Sequence, residues 1–475
     1  MRSFARRRIF SGSPRASIRR ATGSRPGTDE NAEGTMYFAL SMLIFWLVVY
    51  NVLVVPILYA GFAGAAWRGG KAREGFLARR SWEQRLRADL DRLKSRDRIV
   101  MFHATSVGEL LQALPIARIL KTAYPNISIG LSVFSASGYN YFKPNPAVDF
   151  ICYLPLDSYH QAKRFFTLVR PVCWIVSKFD AWPNHLYRCH KEGIPALLTA
   201  ATLSESSRRI GPVVGSFHKA FYSLFTMNFP IAEPDRERFR LLFPKDDACV
   251  VTGDTRFDEV VYRSRGAREK AENLPLDAAR RQYFMLASIW ESDETVVLPA
   301  ALDLLKQNPS ASVLITPHEP REKFVQAIEK RCEEAGVKST RYSRLEGNPA
   351  PDVRVVIIDT VGILAQLYSI SSFAYVGGSF GPGVHNVMEP AILGNPVMFG
   401  PRHINSFEAL QMKRRGGAFE IATAEQFRAK AAELLTSREY RQSVGGKVKE
   451  YVLENVGAAQ RTVDAARPLF DRVLS

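Results

Sequence analysis

Residues 99–133 read IVMFHATSVGELLQALPIARILKTAYPNISIGLSV, and this stretch decides the fold. IVMFHAT (99–105) is a short apolar run of the kind that forms a buried strand. LLQALPIARILKTA (110–123) spaces its apolar residues as one face of a helix, and ISIGLSV (127–133) is strand-like again. A strand, a helix and a second strand in so short a span make a βαβ unit, whose two strands must run parallel.

Outward from this unit the rhythm repeats. DFICYL (149–154), VCWIV (172–176) and PALLTAA (195–201) extend a first series of strands. ACVVTG (248–253), YFMLAS (283–288), ASVLIT (311–316), VRVVIID (353–359), FAYVGG (373–378) and PVMFG (396–400) form a second. Helical stretches separate them, which predicts an α/β protein with two parallel-sheet domains. The polar segment RSRGAREKAENLPLDAARRQ sets a boundary near 254–280. The expected division is 67–255 for the first domain and 256–475 for the second. In such sheets ligands bind beyond the carboxyl ends of the strands, so motifs directly after strands carry the most weight.

Composition agrees with this reading. Among 475 residues, 46% are apolar and 23% charged, which excludes a mostly disordered, collagen-like or coiled-coil chain. Five cysteines without a C-x-x-C pair argue against a disulfide framework or a thiolate zinc site. The net charge is +17, and it is unevenly placed. Residues 1–35 carry eight Arg against three acids, and Arg68–Arg98 carries eleven Lys or Arg against five acids. Between these basic flanks, Met36–Tyr59 reads MYFALSMLIFWLVVYNVLVVPILY with no formal charge. About 20 apolar residues suffice to cross a bilayer, so 36–66 is expected to be a single membrane anchor, kinked near Pro56. Arg68, Lys71, Arg73, Arg79 and Arg80 directly follow it and put the large C-terminal part in the cytoplasm. The arginines before Met36 point to the same side, leaving that rule without contrast. Residues 1–35 are expected to be disordered, or an extension upstream of a native start at Met36.

Two motifs hold the chemistry. His103-Ala-Thr-Ser-Val-Gly-Glu109 joins a strand to a helix. Glu109 in the first helical turn suits a carboxylate that accepts a proton from a hydroxyl, and Ser106-x-x-Glu109 equally fits a capping box. Gly377-Gly-Ser-Phe-Gly-Pro-Gly-Val-His385-Asn386-Val-Met-Glu389-Pro390 is the second. Its glycines suit a backbone cradle for phosphate, and Glu389 suits a ribose diol. Arg256, in Thr252-Gly253-Asp254-Thr255-Arg256, is a candidate phosphate partner, and His318 to Arg321 lie near a candidate base pocket. His103, His318, His385 and His403 do not fall at metal-ligand spacing, so no metal site is expected.

The two α/β halves facing a cleft resemble the GT-B glycosyltransferase architecture. The motifs are similar to those of the 3-deoxy-D-manno-octulosonic acid (Kdo) transferases. The resemblance rests on the anchor and basic segment, His103–Glu109, Leu154-Pro-Leu-Asp157, Trp182-Pro-Asn184, Leu203-Ser-Glu205, Arg256-Phe-Asp258 and the segment Gly377–Asn405. It implies a metal-independent, inverting transfer of Kdo from CMP-Kdo to a lipid A precursor, with no cofactor besides the donor. Glu109 would be the general base. Arg256, His318, Arg321, Gly378, Ser379, Asn386 and Glu389 would bind CMP, with Ser106, Lys178 and Asp180 as candidate acceptor or sugar contacts. The implied setting is the cytoplasmic side of the inner membrane, single-pass, with anionic lipids and the lipid acceptor as partners and no nucleic acid. Where relatives read Glu-Thr-Glu-Leu-Trp-Pro-Asn, this chain has Lys178-Phe-Asp180-Ala-Trp-Pro-Asn184, and Thr202 stands where they carry an Arg. A GT-B transferase or epimerase acting on a UDP-sugar is the alternative.

Overall fold

The computed structural model describes residues 29–93, 95–142, 144–347 and 352–474, so most of the expected extension 1–35 lies outside the described residues. The first sheet contains β1 (Ile99–Ala104), β2 (Ser128–Val133), β3 (Phe150–Tyr153), β4 (Pro171–Ser177), β5 (Ala196–Ala201) and β6 (Met227–Pro230). They lie in the order β3-β2-β1-β4-β5-β6, and every pairing is parallel. The second sheet contains β7 (Gln282–Ile289), β8 (Ala311–Pro317), β9 (Ser339–Arg341), β10 (Val355–Ile357), β11 (Ser371–Val376), β12 (Val397–Phe399) and β13 (Ala418–Glu420). Its order is β13-β12-β11-β7-β8-β10-β9, again all parallel. β1, β2 and β8 are buried along their whole length, as strands covered by helices on both faces must be.

Two expectations change. ACVVTG (248–253) does not form a strand and makes only the single bridge Asn228–Cys249. The second domain also does not run to the C-terminus. Val463, Ala466, Leu469 and Phe470 join Val100, Phe102 and Ile116 in the core of the first domain. The amphipathic helices Ala458–Ala465 and Arg467–Leu474 carry apolar stripes that need cover, and the first sheet's helix layer supplies it.

Among the described residues one helical segment, Leu40–Trp67, is long and apolar enough to cross a membrane. A π-helical turn, Tyr50–Val54, precedes the α-helix Val55–Trp67, and Pro56 stands in the first turn of that helix. This segment is not separate from the first domain. Leu43 is 5% exposed and belongs to the same apolar core as Trp174 and Phe221. The Asn51 amide donates to the Asn184 side chain at 2.8 Å and accepts from the Tyr159 N–H at 3.1 Å. Arg79, expected among the membrane-facing cations, is buried as well. It donates to the carbonyls of Leu154 (2.9 Å) and Phe134 (2.6 Å), and its guanidinium lies 4.4 Å from the Phe134 ring centroid. Burial pushes its pKa down to about 10.

Burying a side chain such as Leu43 or Val55 contributes roughly 1.5–3 kcal/mol. A chain beginning at Arg68 therefore loses several such contacts, and its thermal midpoint is expected to fall and its detergent-free solubility to drop. An unchanged midpoint in differential scanning calorimetry shows instead that the helix contributes nothing to the first domain.

Candidate active site

At the end of β1 the chain turns through Thr105 and Ser106 into the helix Val107–Ala123. Ser106 is its N-cap, with its hydroxyl accepting from the Glu109 N–H at 3.4 Å. The Glu109 carboxylate reaches back to accept from the Thr105 N–H at 2.6 Å. The residue is therefore a helix cap, and only 5% of it is exposed. Burial raises its pKa, and the charge of Asp180 raises it further, against opposing pulls from the Thr105 amide and Lys178. Asp180 is itself raised by burial and accepts a hydrogen bond from the Thr105 hydroxyl. Thr105 thus ties two carboxylates together, one through its backbone and one through its side chain.

Lys178 leaves β4 with φ at 75°, a left-handed conformation costly for a residue with a Cβ. That turn aims the following segment back at Glu109. Ser106, Glu109, Lys178 and Asp180 are thus gathered in one cluster. Arg209, which sequence reasoning missed, joins them: its guanidinium lies 4.4 Å from the Phe179 ring centroid, and its charge lowers the Asp180 pKa. Nothing in the local pattern Ser206-Ser-Arg-Arg-Ile210 distinguishes it from a surface arginine. Below the cluster, His103 is fully buried and held neutral, its pKa pushed down to about 3 by burial first and by His185 next. Its Nδ1 pairs with the Ser132 hydroxyl at 2.9 Å, and Trp182 stands edge-on to the ring. His185 in turn pairs with buried Asp157 at 2.6 Å.

The second constellation lies at the carboxyl ends of β7, β8 and β11. The rings of Trp290, His318 and His385 are nearly coplanar in orientation and stacked, with Trp290–His318 centroids 4.7 Å apart and His318–His385 centroids 4.4 Å apart. The Trp290 indole N–H donates to His385 Nε2 at 2.7 Å. That bond requires an unprotonated Nε2, and burial followed by the neighbouring His318 pushes the His385 pKa down to about 4. Trp290 was not anticipated from sequence. Its signal is its place directly after β7, where the next helix begins at Glu291.

The glycine loop departs from expectation. Asp293, fully buried in the first turn of the helix Glu291–Gln307, accepts from the N–H groups of Gly378 (2.7 Å), Phe380 (3.3 Å) and Trp290 (3.0 Å) and from the Tyr375 hydroxyl (2.9 Å). Two amides expected to cradle a phosphate are therefore already bound to a carboxylate of the protein. Ser379 is also turned inward: its hydroxyl is buried and accepts from the Gly400 N–H at 2.5 Å. Gly378 has φ at 91°, and a Cβ there would stand 2.3 Å from the Gly383 carbonyl, so the turn admits only glycine.

Arg256 likewise has partners, lying 2.6 Å from Asp254 and 2.5 Å from Glu408. Asp254 also accepts from Gln112 of the first domain at 3.2 Å, so Arg256 serves as a strut between the domains and not as an unpaired phosphate ligand. Glu389 pairs through Oε1 with Arg263 at 2.9 Å. Asn386 is exposed, its side-chain oxygen accepting from the Met388 N–H at 3.0 Å, and Arg321 is engaged with Glu319 at 2.7 Å. Among the described residues no group of three or more His, Cys, Asp or Glu side chains is disposed to hold a metal ion.

A family model described as 3-deoxy-D-manno-octulosonic-acid transferase (kdotransferase) matches residues 80–259. The chain is 29% identical over 384 residues to the 3-deoxy-D-manno-octulosonic acid transferase of Haemophilus influenzae, covering 78% of this chain and 87% of that protein. It is 26% identical over 338 residues to the enzyme of the same name from Aquifex aeolicus, covering 70% of this chain and 85% of that one. Among solved structures, the UDP-GlcNAc 2-epimerase of Neisseria meningitidis superposes with a TM-score of 0.55 at 14% identity, over 78% of this chain and 100% of that one. That likeness concerns the paired Rossmann-like architecture alone. Across the family domain and beyond it, over 70–78% of its length, the chain is therefore similar to 3-deoxy-D-manno-octulosonic acid transferases.

Proposed function

We infer that this protein transfers Kdo from CMP-Kdo to a lipid A precursor in lipopolysaccharide synthesis, at the cytoplasmic face of the inner membrane. The observation that carries the reading is Glu109: a buried carboxylate of raised pKa at the carboxyl end of β1, beside a second carboxylate and a cation. Raising the pKa of a carboxylate makes it a stronger base toward a hydroxyl proton. In the proposed step the acceptor O–H bond breaks and its proton passes to Glu109. The acceptor oxygen bonds to the anomeric carbon of Kdo on the face opposite the leaving group, and the bond to the CMP phosphate breaks with its electron pair going to the phosphate. A single displacement of this kind inverts the anomeric centre. Lys178 and Arg209 supply positive charge at the acceptor side, where a phosphorylated lipid is the natural partner.

The donor half rests on the ring stack after β7, β8 and β11. We assign the cytosine side of CMP to Trp290, His318 and His385, and the ribose to Asn386 and the remaining carboxylate oxygen of Glu389. Arg256 and Ser379 are reassigned to holding the domains and the loop, since their polar groups are already engaged. Arg321 is kept as a phosphate or base contact that exchanges Glu319 for the nucleotide. The reaction needs no cofactor besides the donor.

Three outcomes test this reading. In a membrane-fraction assay with CMP-Kdo and a tetra-acylated lipid A precursor, product mass rises in whole Kdo units, and Glu109→Gln lowers kcat by about 10²- to 10⁴-fold with CMP affinity kept. Full turnover in that variant assigns Glu109 to helix capping alone. The pH dependence follows from the charges: Glu109 must be ionised, so activity falls as pH drops through its raised pKa. Asp180→Asn removes the neighbouring negative charge, lowers that pKa, and moves the acid limb of kcat/KM to lower pH; an unmoved limb refutes the coupling. Trp290→Ala weakens CMP binding measured by calorimetry, by roughly 1–3 kcal/mol for a lost stacking partner. UDP binding as tightly as CMP to the unaltered protein favours a UDP-sugar enzyme instead.

A further inference from the structure

We propose that the helix Leu40–Trp67 lies in the plane of the membrane interface, bound lengthwise to the first domain, and does not cross the bilayer. The proposal deepens the membrane placement given above and rests on that reading only for the anionic character of the bilayer.

The helix has two faces that composition does not distinguish. One is a domain-facing stripe. Leu43, Trp46, Leu47 and Tyr50 are buried or half-buried, and so are Val55, Tyr59, Phe62 and Ala66. Leu43, Leu47, Asn51, Val55, Tyr59, Phe62 and Ala66 follow one another at steps of three or four residues, with Trp46 and Tyr50 beside them, so the stripe stays on one side of the helix.

The stripe is pinned along its whole length. Trp46 stands edge-on to Phe217 at 5.7 Å, and Phe62 packs on Phe76 at 5.7 Å and Phe134 at 5.8 Å. Midway, Asn51 makes the hydrogen bonds to Asn184 and Tyr159 already described. From Leu43 to Ala66 the helix runs about 35 Å, slightly more than the roughly 30 Å thickness of the hydrocarbon core. Crossing would require the stripe to leave its partners and strip Asn51 of both bonds, or else draw the first domain into hydrocarbon.

The other face is apolar and open. Ile44, Phe45, Val48, Val52, Ile57 and Leu58 are 49–69% exposed. A helix lying flat sinks only that face into the acyl boundary, the arrangement of interfacial helices. The adjoining charges fit an anionic headgroup layer as the occupant: Arg68, Arg73 and Arg80 are exposed just after the helix, and Lys163 is exposed on the helix that begins at Tyr159, the residue Asn51 holds.

The test is thiol accessibility in sealed vesicles, which needs no turnover, so a failed transferase reading and a failed topology give separate results. All five native cysteines are buried, leaving little background. Tyr37→Cys marks the N-terminal end of the helix, Val48→Cys and Leu58→Cys mark its outer face, and Glu205→Cys marks the surface of the first domain, where that side chain is 88% exposed. Each full-length chain is treated with a membrane-impermeant maleimide in inverted and in right-side-out vesicles. The proposal requires Tyr37→Cys and Glu205→Cys to label from the same side, with Val48→Cys and Leu58→Cys labelling only after detergent. Labelling of Tyr37→Cys from the opposite side establishes a crossing helix and overturns it. Free labelling of Val48→Cys without detergent, or a disulfide-linked dimer through that position, overturns it equally, the second by giving the face to another copy of the chain.

Discussion

All pairings in both sheets are parallel, and the arrangement of this molecule follows from that constraint. A parallel strand cannot be reached by a tight turn, so each return passes through a helix or a long crossover on a face of the sheet. The turns that leave the strands then collect on one edge, along with the N-termini of the helices that follow. Glu109 lies just after β1, Lys178 and Asp180 after β4, Trp290 after β7, His318 after β8 and His385 after β11. No two of these groups need be neighbours in sequence to share an edge in space. The proposed base and the proposed nucleotide platform occupy corresponding edges of the two sheets, which is where such folds bind ligands.

Buried charge sets how those edges are held. Asp293 accepts four hydrogen bonds and fixes the loop after β11 from below, a task that the glycine pattern alone suggested for a bound phosphate. Arg256 sits between Asp254 and Glu408, where removing either carboxylate leaves a cation short of a partner. Arg79 caps carbonyls inside the first domain, and Arg354 does the same for Ala311 and Asn308 in the second. A formal charge of +17 therefore overstates what the protein presents to a partner. Part of it is consumed in holding backbone carbonyls and carboxylates in a solvent-poor interior, where each such bond is stronger than at the surface.

The strands were readable because hydrophobic periodicity is local. The buried runs 99–105, 283–288 and 311–316 coincide with β1, β7 and β8 to within a residue or two. The run 248–253 is also apolar, yet it meets β6 only through the Asn228–Cys249 bridge and the Val250 and Thr252 amides and forms no strand, a matter of tertiary pairing that its own residues do not reveal. Ser106 and Glu109 could be read as a cap and a candidate base because both roles depend on spacing along one helix. Their coupling to Asp180 could not, since Asp180 follows a different strand and meets them only through Thr105. Arg209 carries no local signature, and Trp290 carries only its place directly after β7.

The sequence by itself determined the alternation of strands and helices, the parallel direction it imposes, the placement of the two motifs directly after strands, and the presence of one long uncharged helix. These are properties of side-chain order along the chain, set by periods of two and 3.6 residues. Tertiary structure alone decided which hydrogen-bond donors remain for a ligand, which cations are spent inside, where the last two helices dock, and which face of the apolar helix the first domain covers. The physical reason is the same in each case: a polar or apolar group is committed by whatever the fold brings within a few ångströms of it, and those partners lie tens to hundreds of residues away.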